Sequence, residues 1–255
     1  MPEFLTFSDA GVPLLITLVF VLAGVVKGVV GLGLPTIAMA LLALMMAPAH
    51  AAALLIVPSL VTNIWQLSPW AGLNSLLRRL APMQLGICAG TLAGAWLLGA
   101  PAGAWASVCL GVALVAYAAW GLAGARLAVS PASERWLGPL IGASTGLVTA
   151  ATGVFVLPAV PYLQALGLQR DALVQAMGLS FTVSTLALAA GLYANAQFSG
   201  ASLGASALLL LPALAGMAAG QYLRRKLSPV LFRQVFLISL ALLGSHMLAK
   251  PLLAP

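Results

Sequence analysis

Apolar runs, broken by glycine, proline and short charged clusters, divide the chain into ten segments. They cover approximately 11–31, 34–47, 49–68, 80–99 and 103–125, then 136–153, 155–167, 171–194, 201–223 and 229–250. Most approach the roughly 20 residues that a membrane-spanning helix requires. The segments 34–47 and 155–167 are too short: at about 1.5 Å per residue they cover only part of a hydrocarbon core about 30 Å thick. They read as half-helices or re-entrant helices. Each follows a glycine-containing break. The first break runs from Gly24 through Lys27, Gly28, Gly31 and Gly33 to Pro35, and the second from Gly146 through Thr149, Thr152 and Gly153 to Pro158.

The breaks align as a repeat. Gly24 and Gly146 are 122 residues apart, as are Gly31 and Gly153. The same offset brings Leu41, Ala43 and Leu44 onto Leu163, Ala165 and Leu166, the Pro48 break onto Arg170, and Val61-Thr62 onto Val183-Ser184. Further along, Gly90-x-x-x-Gly94 corresponds to Gly216-x-x-x-Gly220 at an offset of 126. The expected architecture is all-α and polytopic, with two repeats of about five helical segments each, over 1–126 and 127–255. Interrupted hydrophobic segments at corresponding places in two halves mark a transporter's binding site.

Composition moves the whole chain into the bilayer. Only 6% of residues are charged, 62% are hydrophobic, and the mean hydropathy is +1.11, whereas a soluble domain is about one quarter charged. Backbone groups in lipid must bond internally, which requires helices. The net charge of +7 does not point to nucleic acid, because the basic residues sit in twos and threes at segment ends. If every segment reverses direction, Arg78, Arg79, Arg126, Arg135, Arg170, Arg224, Arg225 and Lys226 share one side, with Lys27 and Arg233 near it. The linkers 47–50, 99–103 and 195–200 contain no Lys or Arg, and only Lys250 lies near that side. The positive-inside rule then places both termini outside the cytoplasm. Five segments per repeat is an odd number, so the two copies have inverted topology. Fusing each short segment with its neighbour gives four spans per half and splits the basic clusters between the two sides. The first residues carry Glu3 and Asp9 and no base, unlike a signal peptide.

Enzyme chemistry finds little support. There is no His-Glu-x-x-His, no paired Cys-x-x-Cys and no Walker loop, and Cys88 and Cys109 sit alone in apolar runs. Gly142-Ala-Ser144-Thr-Gly146 has the spacing of a serine nucleophile motif but lies in an apolar span, with His246 as its only base. No metal or cofactor site is expected.

The polar residues suit solute binding instead. Lys27 stands inside an apolar run, where a charge at the helix centre costs about 2.5–3.5 kcal/mol. It is either the partner of an anion or a snorkelling side chain reaching the interface. Ser59, Thr62, Asn63 and Gln66 share one helical face, at spacings of three and four. The second half offers Gln175, Ser180, Thr182, Ser184 and Thr185, with Thr149 and Thr152 upstream. Such groups line a cavity or bond neighbouring helices. Gly28, Gly31, Gly33 and Gly153 either expose backbone amides to a ligand or, at Gly-x-x-x-Gly spacing, bring helices together. His50 is a gate or a proton relay. Asp171 reads as a helix cap, and Trp65, Trp70, Trp96, Trp105, Trp120 and Trp136 as interfacial anchors.

On Gly24–Pro35, Pro48-Ala49 and Asn63 in the first half, and Gly146–Pro158, Thr182 and Ser184 in the second, the chain resembles the sulfite exporter TauE/SafE permeases. Where that family's second motif usually holds a run of glycines, this chain keeps Gly153 alone. The resemblance implies a small permease of the bacterial inner membrane that moves sulfite, sulfonates or related organic anions. The expected mechanism is alternating access, the halves rocking about a midplane site between the two breaks. Its binding residues are Lys27, Gly28, Gly31, Gly33, Ser59, Thr62, Asn63, Thr149, Thr152, Gly153, Thr182 and Ser184. The partners are a small anion, the lipid bilayer and a coupling ion, proton or sodium. A passive anion channel and a non-transporting membrane scaffold are the alternatives.

Overall fold

The structure is a computed structural model describing residues 11–68, 70, 72–101, 103–124, 127–226 and 228–253. The acidic N-terminal stretch and Arg126 lie outside them. The described residues form helices without strands: α1 (Gly11–Val30), α2 (Leu34–Leu42), α3 (Pro48–Trp65), α4 (Leu73–Leu98), α5 (Gly103–Ala123), α6 (Pro131–Thr152), α7 (Ala159–Ala165), α8 (Arg170–Ala194), α9 (Gly200–Leu208), α10 (Leu210–Leu223) and α11 (Pro229–Leu253). Seven stretches are long and apolar enough to cross a membrane: α1, α3, α4, α5, α8, α9 with α10, and α11. At 22 residues α6 has comparable length, but Glu134, Arg135, Ser144, Thr145, Thr149 and Thr152 make it more polar.

The helices follow the predicted segments closely. Two begin earlier than expected. α4 starts at Leu73 and α6 at Pro131, and two of the four charges near their starts pair with each other. Arg79 of α4 makes a two-pronged ion pair with Glu134 of α6, at 2.7 and 2.8 Å. Ser130 caps α6 by accepting the Ser133 amide at 3.2 Å, and Pro131 follows at the first helical position. One expected segment is divided, with α9 ending and α10 beginning around Leu209. Asp171 lies in the first turn of α8, but the N-cap residue is Gln169 and makes no side-chain cap. Asp171 therefore contributes through the helix dipole.

Lipid-facing helices gain no hydrophobic driving force from meeting, so close van der Waals contact must hold them together. Glycine supplies it here, and two of the interfaces it builds resemble each other. A Cβ added at Gly24 would lie 2.2 Å from the Ala213 carbonyl oxygen, and one at Gly216 would lie 2.1 Å from that of Val21. At the other interface a Cβ at Gly146 would meet the Ile87 oxygen at 2.4 Å, and one at Gly90 the Ala143 oxygen at 2.1 Å. Val21 and Ala143 are 122 residues apart, and Ile87 and Ala213 are 126 apart. The α1–α10 and α4–α6 interfaces thus use corresponding residues at the sequence offsets of the repeat. Each joins a helix from one half of the sequence to a helix from the other.

Contacts also fix the chain directions. Lys27 near the end of α1 bonds Thr62 and Asn63 near the end of α3, so α1 and α3 run in the same sense. α2, about 13 Å long, and the linker 43–47 return the chain between them. Gln175 Nε2 donates to the Leu67 carbonyl at 3.0 Å, which sets α8 antiparallel to α3. Ala150 of α6 lies with Leu188 and Gly191 toward the end of α8. The ends of α1 and α6 therefore face opposite ends of α8. The linkers poor in basic residues gather at one end, where the Ala49 amide donates to the Pro101 carbonyl at 2.9 Å and Asn195 Nδ2 to that of Ala95 at 3.1 Å. Arg79, Arg135, Glu134 and Tyr162 meet at the other end.

Candidate functional site

Two deviations from regular helix shape the first site. After α1 the chain turns through Gly31 and Gly33, whose φ values are +84° and +109°; side chains are disfavoured in this left-handed region. The Gly31 carbonyl, left without a continuing helix, accepts a hydrogen bond from Gln66 Nε2. In α3, Pro58 lacks the amide that would bond Leu54. Ser206 of α9 repairs the gap: its hydroxyl donates to the Leu54 carbonyl at 2.8 Å and accepts the Val57 amide at 3.0 Å. The bond from Thr62 Oγ1 to the Pro58 carbonyl, 2.6 Å, fixes the next turn.

Lys27 reaches this supported turn. Its Nζ donates to Thr62 Oγ1 at 3.0 Å and to Asn63 Oδ1 at 2.5 Å. Lys27 is 3% exposed, and Thr62 and Asn63 are fully buried. The side chain therefore turns into the protein and does not snorkel. Both partners are neutral. The ion pair found among the described residues, Arg79–Glu134, lies elsewhere. A buried cation with only neutral partners is costly, because a low dielectric penalises an uncompensated charge.

The surroundings contain further unused hydrogen-bonding capacity. Ser59 Oγ, Asn63 Nδ2 and Gln66 Oε1 on α3 are buried and have no protein partner, and the same holds for Ser184 Oγ on α8. Buried polar groups are nearly always bonded, so a cluster of exceptions calls for an explanation. Gly178 lets α8 approach this part of α3, where an added Cβ would lie 3.0 Å from the Asn63 carbonyl oxygen.

The second break is built differently. Thr149 Oγ1 donates to the Thr145 carbonyl and Thr152 Oγ1 to that of Val148, both within α6. Thr152 Oγ1 also accepts the Val154 amide at 3.1 Å. Thr182 bonds Gly178 in its own helix. Gly153 turns the chain at φ +70°, against Met39 and Ala52. Ala52 is ten residues before Thr62 on α3, about 15 Å along the helix axis. The two breaks thus meet α3 at different levels. Lys27, Thr62 and Asn63 come together with Ser59 and Gln66, whereas Thr152 and Gly153 close a turn at another level. Gly28 packs on α10, where an added Cβ would lie 2.3 Å from the Met217 carbonyl oxygen. His50 is exposed in the first turn of α3, and Cys88 and Cys109 are free and half-buried.

Sequence reasoning left Gln66 out of the binding set, although its spacing from Thr62 and Asn63 places it on their face. It also passed over Gln84, whose Nε2 donates to Ser180 Oγ at 3.0 Å, and Ser206. The apolar run around Ser206 contains no sign that its hydroxyl serves a proline in another helix.

A search of curated proteins and a search of solved structures find no match. The sulfite exporter TauE/SafE family model matches residues 16–247, which takes in both breaks, the Lys27 cluster and every helix interface described above. With that span matched, the chain belongs to the sulfite exporter TauE/SafE family of membrane transporters.

Proposed function

We infer that the protein moves a small anion, sulfite or an organic sulfonate, across the bacterial inner membrane, and that Lys27 is the charged centre of its binding site. The observation that carries this reading is the buried Lys27 ammonium, held by two neutral oxygens beside polar atoms without partners. An ammonium has three protons to donate, and two are engaged. An oxyanion would take the third and neutralise the charge. Asn63 Nδ2 and Ser59 Oγ are the donors available to its remaining oxygens, and Gln66 steadies the Gly31 turn behind them.

In this reading the halves 1–126 and 127–255 are inverted repeats. The opposed directions of α1 and α6 and the matched glycine interfaces support it. The moving bodies are then not the halves themselves. Glycine locks α1 to α10 and α4 to α6, so each body draws helices from both halves. Alternating access becomes a rocking of the α1–α2–α10 group against the α4–α6–α7 group, with α3 and α8 between them. The basic end formed by Arg79, Arg135 and Arg170 is cytoplasmic by the positive-inside rule, and the termini are periplasmic. A proton or sodium ion couples the movement.

The experiment is radiolabelled sulfite flux into proteoliposomes. Lys27→Gln should abolish saturable flux while the protein still reconstitutes. Unchanged flux in this variant would reject the site. Flux that neither saturates nor responds to imposed proton or sodium gradients would identify a passive channel instead.

A further inference from the structure

Two grooves outside the Lys27 cluster are related to each other. The first, of about 490 Å³, lies among the end of α5, the end of α7 and the start of α11, and is lined by Trp120, Gly124, Gln164, Ala165 and Arg233. The second, of about 400 Å³, lies among the end of α2, the start of α5 and the end of α11, and is lined by Ala43, Pro48, Ser107, Met247 and Lys250. Their lining positions correspond under the repeat. Arg233 stands 126 residues after Ser107, Lys250 stands 126 after Gly124, and Ala165 stands 122 after Ala43. α5 and α11 pack antiparallel, Gly111 against Gly244 and Gly121 against Leu237, so the two grooves open at opposite ends of this pair. Each contains one exposed cation and no carboxylate among its lining residues.

The first groove leads toward the Lys27 hairpin. One turn beyond Arg233 on α11, Phe236 packs edge-on against Tyr117 of α5, with ring centroids 6.5 Å apart. The Phe236 ring lies directly against Gly33, where an added Cβ would meet it at 3.2 Å. The aromatic pair lies one helical turn from Arg233 and packs against the α1–α2 turn.

We propose that these grooves are the two mouths of the anion path, with Arg233 receiving the anion at one membrane face and Lys250 at the other. The proposal rests on the reading of the chain as an anion transporter. A cation at the rim of a cleft with low-dielectric walls concentrates anions locally. In this proposal the Tyr117–Phe236 pair, one turn from Arg233 and against the Gly33 turn, is the gate of the Arg233 mouth. The corresponding positions 126 residues away, Leu110 and Leu243, are aliphatic, so the two mouths are closed by different chemistry.

The test uses the full-length protein in right-side-out and inverted membrane vesicles. Arg233→Gln should raise the KM for sulfite by roughly three- to tenfold from one face only, the size expected when a focusing charge is lost. Lys250→Gln should do so from the opposite face only, and Arg233→Lys should restore the first. Equal changes from both faces, or none, would overturn the proposal. A second readout does not depend on sulfite being the substrate. With Cys88 and Cys109 replaced by Ala, Arg233→Cys and Lys250→Cys should each react with a membrane-impermeant anionic thiosulfonate from one face, the two faces being opposite. Failure of either to react would show that lipid fills the grooves. Absence of sulfite flux alongside one-sided labelling would reject the substrate and leave the mouths standing.

Discussion

The two glycine breaks occupy corresponding places in the chain, yet only one of them carries a charge. At the positions 122 residues apart, Lys27 faces Thr149 and Gly33 faces Phe155. The first break keeps an open turn and directs an ammonium onto α3. The second spends its hydroxyls on its own helix and fills the turn with Phe155, whose ring packs at a tilt of 52° against Phe181 with centroids 5.1 Å apart. The framework around the breaks shows the reverse pattern, because the flanking interfaces place glycine at corresponding positions, Gly24 with Gly146 and Gly90 with Gly216. Glycine packing is thus common to the two breaks and the polar chemistry is not. Glycine contacts constrain how helices approach, since a Cβ at Gly24, Gly90, Gly146 or Gly216 would strike backbone, but leave polar side chains free to differ.

The largest expected effect separates the two breaks directly. Lys27→Gln should lower sulfite kcat/KM by about 100-fold or more, because truncating one partner of a buried charged contact costs about 2–5 kcal/mol. Thr149→Ala should change it less than about threefold, since its lost bond is an internal helix contact worth about 1 kcal/mol or less. Comparable losses in both variants would mean that the two breaks share one site after all.

The shared framework predicts equality instead. Gly24→Ala and Gly146→Ala both force a Cβ into a backbone carbonyl, and overpacking of this kind costs about 1–3 kcal/mol. Thermal unfolding in detergent should show similar losses for the two variants. A loss confined to Gly24→Ala would break the equivalence of the interfaces.

A smaller difference should appear one step out from Lys27. Asn63→Ala removes a hydrogen bond to a charged group, worth about 1.5–3 kcal/mol, and should raise the KM for sulfite by about tenfold. Its counterpart Thr185 bonds the Phe181 carbonyl within α8, so Thr185→Ala should leave KM near the wild-type value. The smallest effect concerns the proline. Ser206→Ala should lower stability by about 1 kcal/mol, leaving the Leu54 carbonyl and Val57 amide without their partner. Ser180 stands in α8 where Pro58 stands in α3, so that helix needs no such repair.

Most of the fold was legible because bilayer thickness and glycine breaks act on the chain locally. The short helices α2 and α7 could be read from the lengths of their runs. The division around Leu209 had a signal that the reading of one continuous segment did not use: Pro212 lacks the amide that would bond the Leu208 carbonyl. The early starts of α4 and α6 accompany the pairing of Arg79 with Glu134, 55 residues apart. At the site, Lys27, Thr62 and Asn63 could be named from their spacing and their apolar setting. That they meet one another, rather than Thr152 and Gly153, depends on how α2 returns the chain along α3. No spacing in the sequence encodes that path.

The most direct test of Lys27 as the anion's partner is sulfite-dependent thermal stabilisation of the purified protein. A ligand at about 100 times its Kd stabilises the folded state by about 2.7 kcal/mol. Wild-type protein should show a rise in Tm that saturates with sulfite, and Lys27→Gln should show none, although it unfolds cooperatively without ligand. An equal, saturating rise in Lys27→Gln would contradict the assignment.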